Sequence, residues 1–177
     1  GIKSIEPSFN RICEKEANGI ATKITNNKAT EVMKKYEYDD LVTIMKDENG
    51  NVNMVKANII PINKIISDVA VEIQNELENI SNEDVEIRLG SFTGSRILSG
   101  RGPSIKFKIF SVGDVLTDFK SEFNSAGINQ TLHRMYLEVK CNVSILTPFN
   151  SIDRQITNQV IIGENIIVGT TPNTYYN

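Results

Sequence analysis

The feature that most constrains the fold is an unusually long alternation of apolar and polar residues from Thr131 to Thr147. An alternation of period two places successive side chains on opposite faces of a β-strand. The apolar face of this segment reads His133, Met135, Leu137, Val139, Cys141, Val143 and Ile145. The segment therefore predicts an unusually long strand with one buried face. After the turn sequence "TPFNS", residues 152–162 alternate again, which predicts a long antiparallel hairpin.

The N-terminal half follows a different pattern. Residues 7–35 carry apolar side chains at helical spacing, and Pro7 suits the first helical turn. Asn49-Gly50 between two alternating runs predicts a β-hairpin, and residues 62–80 form a second amphipathic helix that follows Pro61. With a short strand in "VEIRL", the order is helix, strand, strand, helix, strand. The predicted fold class is α+β, in which this layer is followed by an antiparallel, strand-rich half.

The change of pattern between residues 81 and 104 is the predicted boundary. We expect an α+β layer in residues 1–90 and a β-rich part in residues 91–177, or one continuous domain that includes both. Within the second part, Gly113 predicts a turn, followed by a possible short strand and an irregular connection around Gly127.

Composition excludes several classes of function. The net charge of −3 over 177 residues argues against a nucleic-acid partner, which normally meets a basic surface. Two cysteines and one histidine are too few for a zinc site with four sulfur or nitrogen ligands, and we expect neither a metal nor a cofactor. Cys13 and Cys141 are expected to be buried free thiols, although a disulfide stays open. No run approaches the ~20 apolar residues that span a bilayer.

The glycine-rich stretch "GSFTGSRILSGRGPSIKFK" matches no catalytic motif. It lacks the Gly-Lys-Ser/Thr ending of a P-loop, the third glycine of a dinucleotide fingerprint and the first glycine of a nucleophile elbow. The lone His133 is expected to be a partly buried residue whose hydrogen bonds are satisfied. Asp114, Asp118 and Glu122 could supply carboxylate pairs, but nothing in their spacing forces them together. We therefore predict that the chain is not an enzyme. The stretch is interpreted as a structural turn shaped by Gly94, Gly100, Gly102 and Pro103, or alternatively as a recognition loop that presents Arg96 and Arg101.

Four motifs in residues 87–177 resemble the YunB family of sporulation proteins from endospore-forming Firmicutes. They are "LGSFTG", "SGRGPSIKFKI", "SEFNSAGINQTLHR" and the terminal "VGTTPNTYYN". The resemblance implies a role in spore formation in the mother cell and an N-terminal membrane anchor, and we expect that anchor to be missing from this chain, which begins with Gly. It implies no established catalytic residues. A domain that follows such an anchor is expected outside the cytoplasm, between mother cell and forespore.

Two functions remain open at this point. The first is an assembly or interaction component of the spore envelope that binds protein partners or itself. Its N-terminal order of elements resembles ring-building domains, and its expected interaction residues are Arg96, Arg101, Asn129, Gln130 and Arg134. The alternative is a monomeric module that binds peptidoglycan or its precursors in a pocket lined by Asn129, Tyr136, Phe149, Tyr175 and Tyr176.

Overall fold

The computed structural model describes residues 2–88, 103–168 and 173–176, with side chains from residue 6 to residue 168. This part of the chain contains three helices, α1 (Ile2–Met33), α2 (Tyr38–Leu41) and α3 (Ile59–Ile80). It also contains eight strands, β1 (Val42–Lys46), β2 (Val52–Ala57), β3 (Val85–Arg88), β4 (Ser104–Ser111), β5 (Leu116–Gly127), β6 (Gln130–Leu146), β7 (Ser151–Val168) and β8 (Asn173–Tyr176). The α+β class is confirmed, as are the order of elements in the first half and the long strand β6.

The chain divides into two compact units. The first consists of Gly1–Lys23, Gln74–Asp114 and Cys141–Ile156, and the second of Ile24–Ile73, Val115–Lys140 and Thr157–Asn177. Four of the five boundaries between the units fall inside α1, α3, β6 and β7, and the fifth falls between β4 and β5. The division at residue 90 that the sequence suggested stays a prediction.

In the first unit, two antiparallel pairings join three strands. Strand β3 pairs with β4, and β4 pairs with the C-terminal end of β6, where Ile109 lies opposite Ile145. The helix α1 contributes a face of small residues, whose size permits close packing. The buried apolar residues of this unit are Cys13, Ala17, Ala21, Leu77, Ile87, Ile105, Phe107, Ile109, Cys141, Val143, Ile145, Ile152 and Ile156.

In the second unit, β1 and β2 form the predicted hairpin. The carboxylate of Asp47 accepts hydrogen bonds from the backbone N–H groups of Asn49 and Asn51, both at 2.9 Å. Gly50 adopts a φ of 81°, a backbone conformation that glycine tolerates without strain. Strand β8 then adds to β2 in parallel. The third strand of the predicted N-terminal layer, β3, pairs with β4 and not with this hairpin.

The second unit also contains a hairpin that the sequence only partly predicts. Residues 116–127 form the continuous strand β5, where the pattern suggested a short strand and an irregular connection. Strand β5 pairs with β6 from Leu116 opposite Lys140 to Gly127 opposite Gln130. The inward positions of β5 include serine and threonine beside phenylalanine, so its apolar alternation is weak. The pairing with β6 therefore defines this strand better than its own sequence does.

The remaining differences concern the ends of elements. Helix α1 begins five residues before Pro7, and Pro61 is the third residue of α3, where its missing N–H falls among the unpaired donors of a first turn. Strand β7 extends to Val168, beyond residue 162, where the predicted alternation ends. Neither α1 nor α3, the two long helices in the described part of the chain, has a stretch apolar enough to cross a membrane.

Candidate interaction site at the β5–β6 hairpin

The turn between β5 and β6 consists of only two residues, Ile128 and Asn129. Gly127 has a φ of 135° and Asn129 a φ of 55°, and these are the conformations in which glycine and asparagine are favoured. Such a tight turn leaves no room to fold the intervening side chain back onto the strands. Ile128 is consequently 93% exposed, more than any other large hydrophobic residue that the structure describes.

Two of the predicted interaction residues lie at this turn. Asn129 and Gln130 are both exposed and directly follow Ile128 in the chain. The turn therefore presents one apolar side chain beside two amide side chains, which can donate and accept hydrogen bonds. We refer to Ile128, Asn129 and Gln130 as the hairpin apex.

Arg134, a third predicted interaction residue, is engaged within its own unit. Its Nε donates to Oε2 of Glu164 at 2.9 Å, and an Nη atom lies 3.8 Å from Oε1 of Glu122. The two carboxylates lie on β7 and β5, the two strands that flank this part of β6. The guanidinium therefore bridges neighbouring strands, and a partner would have to share it with these acidic residues.

Most of the residues predicted in the glycine-rich stretch lie outside the described residues. They are Arg96, Arg101, Gly94, Gly100 and Gly102. Pro103 is described and lies exposed just before β4.

His133 lies in a buried polar cluster that the sequence did not reveal. The imidazole is 1% exposed, as the alternation of β6 predicts, and both ring nitrogens have partners. Nδ1 lies 2.6 Å from Oη of Tyr38, and Nε2 lies 2.7 Å from Oγ of Ser121. The ring of Phe123, directly opposite in the register, stacks on the imidazole at 4.4 Å. Finding these partners requires the register of β5 against β6, which no local pattern specifies.

Burial sets the protonation of this cluster. It lowers the pKa of His133 to about 4, so the imidazole is neutral at pH 7. It raises the pKa of Tyr38 to about 12, although a hydrogen bond with the side chain of Asn165 acts in the opposite direction. A neutral imidazole has one donor and one acceptor nitrogen, and each meets a hydroxyl group here.

The cluster contains none of the three carboxylates considered from the sequence, Asp114, Asp118 and Glu122. Asp118 is exposed and lies 3.3 Å from Nζ of Lys120. Cys13 and Cys141 are buried and form no disulfide bond among the described residues, and burial raises the pKa of Cys13. Among the described residues, no group of three or more His, Cys, Asp or Glu side chains could hold a metal ion.

Comparison with known proteins shows that the hairpin lies in a region of the chain that matches a family model. The family model described as "Sporulation protein YunB" matches residues 84–174, just over half of the chain. The chain belongs to the YunB family of sporulation proteins. The match includes the glycine-rich stretch and the whole β5–β6 hairpin, which confirms the resemblance drawn from the motifs.

One relative extends the similarity into the helical half. The chain is 28% identical over 183 residues to the protein named "Sporulation protein YunB" in Bacillus subtilis (strain 168), and the alignment covers 97% of this chain and 72% of the relative. No solved structure matches the chain. The YunB family thus indicates a role in sporulation.

Proposed function

We propose that this YunB-family chain is a non-enzymatic assembly or interaction component of spore formation, which contacts a protein partner or a second copy of itself through the hairpin apex. In this proposal the chain acts in the mother cell, is held at a membrane by an N-terminal anchor and lies outside the cytoplasm. The family supports the role in sporulation. The membrane side and the anchor follow from the resemblance alone.

The observation that carries the proposal is the exposure of Ile128. A two-residue turn fixes the backbone that carries this side chain, so little backbone entropy remains to be lost when a partner covers it. Burying one isoleucine contributes about 1.5–3 kcal/mol. This is too little for a tight complex, but anchoring on a membrane raises the effective concentration of the partners and strengthens weak contacts.

The test is an Ile128→Asp variant in the sporulating host, scored by the yield of heat-resistant spores. The matched control is Ile60→Asp, because Ile60 is also a highly exposed isoleucine, at 85%, in the second unit. We expect Ile128→Asp to reduce spore yield at unchanged protein level and Ile60→Asp to leave it unchanged. Normal sporulation with Ile128→Asp would contradict the proposal.

A second measurement separates self-association from binding to another protein. The mass of the chain is followed by light scattering over a concentration series. A higher mass that Ile128→Asp abolishes indicates contact between copies of the chain. A constant monomer mass, together with loss of sporulation in the variant, indicates a different protein partner or self-association that requires the membrane.

A further inference from the structure

The first unit contains an open cavity of about 440 Å³ between helix α1 and strands β6 and β7. Small-molecule sites typically have volumes of ~300–1,000 Å³. The residues that line the cavity are Arg11, Glu14, Lys15, Asn18, Ile145, Arg154, Gln155 and Ile156. Six of these eight side chains end in a charged or amide group, and the other two are isoleucines.

Four of the lining residues form one face of α1. Positions 11, 14, 15 and 18 are spaced by three or four residues and therefore lie on the same side of the helix. This spacing makes Arg11 and Lys15 neighbours at i and i+4. Like charges at that spacing destabilise a helix slightly. An anion in the cavity would turn this repulsion into a shared attraction.

The acidic and basic groups of the cavity do not balance. One Nη of Arg154 donates to Oε1 of Glu14 at 2.7 Å, and the other donates to the backbone carbonyl of Asp153 at 2.8 Å. This pairing uses the only carboxylate that lines the cavity. Arg11 has a single long contact of 3.4 Å to Oγ of Ser8, and neither Arg11 nor Lys15 forms an ion pair among the residues that the structure describes. Two positive charges are thus uncompensated on a chain whose net charge is −3.

The amide side chains add hydrogen-bonding capacity. Nε2 of Gln155 donates to Oδ1 of Asn142 at 3.2 Å, which orients the amide of Gln155 and leaves its oxygen as an acceptor. Asn18 supplies a second amide at the α1 side of the cavity. Amide groups of this kind suit the hydroxyl groups of a ligand, whereas Arg11 and Lys15 suit its anionic group.

We propose that the cavity of the first unit binds a small hydroxylated organic anion, such as a sugar that carries a phosphate or a carboxylate group. Arg11 and Lys15 bind the anionic group, and the amides of Asn18 and Gln155 bind hydroxyl groups. Arg154 is held in place by Glu14 and completes the basic side of the site. This inference does not rest on the function proposed for the hairpin apex.

The experiment is a titration of the chain at neutral pH, followed by two-dimensional NMR and calorimetry. The probes are glucose 6-phosphate, glucuronate, inorganic phosphate and uncharged glucose. The variants are Arg11→Gln and Lys15→Gln, with Lys23→Gln as the control, because Lys23 is an exposed lysine on the same helix that does not line the cavity. We expect at least one sugar anion to bind more tightly than inorganic phosphate, and glucose not to bind.

Each cavity variant is expected to weaken the binding of the sugar anion by about tenfold, whereas Lys23→Gln leaves it unchanged. Preference for glucose 6-phosphate or for glucuronate supports the proposal and identifies phosphate or carboxylate as the anionic group. The proposal is overturned if neither sugar anion binds below about 10 mM. It is also overturned if Lys23→Gln weakens binding as much as the cavity variants, or if inorganic phosphate binds as tightly as the sugar anions.

Discussion

The phenol oxygen of Tyr38 lies 2.6 Å from Nδ1 of His133, and this contact ties the short helix α2 to the long strand β6 within the second unit. The two residues are 95 positions apart in the sequence. The other ring nitrogen of His133 meets Ser121, so the imidazole has no unpaired polar atom although it is buried. A buried polar group that is fully hydrogen-bonded stabilises a unique packing, whereas the same group without partners is costly.

The first prediction concerns the dependence of stability on pH. The pKa of His133 is about 4 in the folded chain, below its ordinary value of 6.5, because burial disfavours the charged imidazole. The unfolded state therefore binds the proton first as the pH falls. The stability that the neutral, buried His133 contributes is fully present above pH 6.5 and is lost between pH 6.5 and 4. We expect a loss of about 2 kcal/mol in the free energy of unfolding by pH 5.

Urea denaturation at pH 7.5, 6.5, 5.5 and 5 measures this loss, with His133→Phe as the comparison. The variant lacks the titrating group, so its stability is expected to change less over the same range, even though it starts lower. If the free energy of unfolding changed equally with pH in the two proteins, His133 would not be the group responsible.

The second prediction concerns the hydroxyl group of Tyr38. Tyr38→Phe leaves Nδ1 of His133 buried without a partner, and we expect it to reduce the free energy of unfolding by about 1–3 kcal/mol. The control is Tyr36→Phe, which removes a phenol hydroxyl from the tyrosine two positions earlier in the chain. Urea denaturation is expected to show a small change for the control. Similar effects for the two variants would show that the contact with His133 contributes little.

The same contact predicts a tautomer. If the Asn165 side chain donates to the phenol oxygen, the hydroxyl of Tyr38 is free to donate to Nδ1, and His133 then carries its proton on Nε2. Nε2–H would then donate a hydrogen bond to Oγ of Ser121. Because this nitrogen could not accept the serine proton, Ser121 would not be activated as a nucleophile. Nitrogen-15 chemical shifts of the imidazole distinguish the two tautomers directly, and a proton on Nδ1 would contradict this assignment.

Periodic segments of the sequence predict the fold well, because each one reports its own buried face. The alternation around His133 in β6 and the Asn49-Gly50 turn were both sufficient to place their elements. The strand β5 could be predicted only in part, since Ser121 occupies one of its inward positions and pairs with a polar group on another strand. Partner choice is also non-local, as the pairing of β2 with β8, in which Met54 lies opposite Asn173, demonstrates.

The candidate sites were harder to predict for the same reason. The motif "AGINQ" pointed to Asn129 and Gln130, but the exposure of Ile128 depends on a turn whose length follows from the register of β5 against β6. The cavity of the first unit joins residues from α1 to residues more than 120 positions later in the chain. No local spacing connects Arg11 with Arg154.

The final prediction compares substitutions at two glycines, Gly19 and Gly163. A Cβ atom added to Gly163 would lie 2.8 Å from Cε of Met135, whereas a Cβ atom added to Gly19 would have no neighbour within 4 Å. Gly19 lies inside α1, so Gly19→Ala is expected to stabilise the chain by about 0.5–1 kcal/mol. Gly163→Ala displaces only the end of a flexible side chain, and we expect it to cost up to about 1 kcal/mol.

A larger side chain at position 163 shows whether the loss of stability comes from steric crowding or from the replacement of glycine in general. Gly163→Val also approaches Tyr38 and Leu41, whose nearest atoms lie 3.5 and 3.7 Å from the added Cβ. Met135 and Leu41 are fully buried and have little room to move, so we expect a loss of about 1–3 kcal/mol. Thermal unfolding of the three variants measures the order Gly19→Ala, Gly163→Ala, Gly163→Val from most to least stable. If Gly163→Val were as stable as the unsubstituted chain, the packing around Met135 would have to be looser than these distances imply.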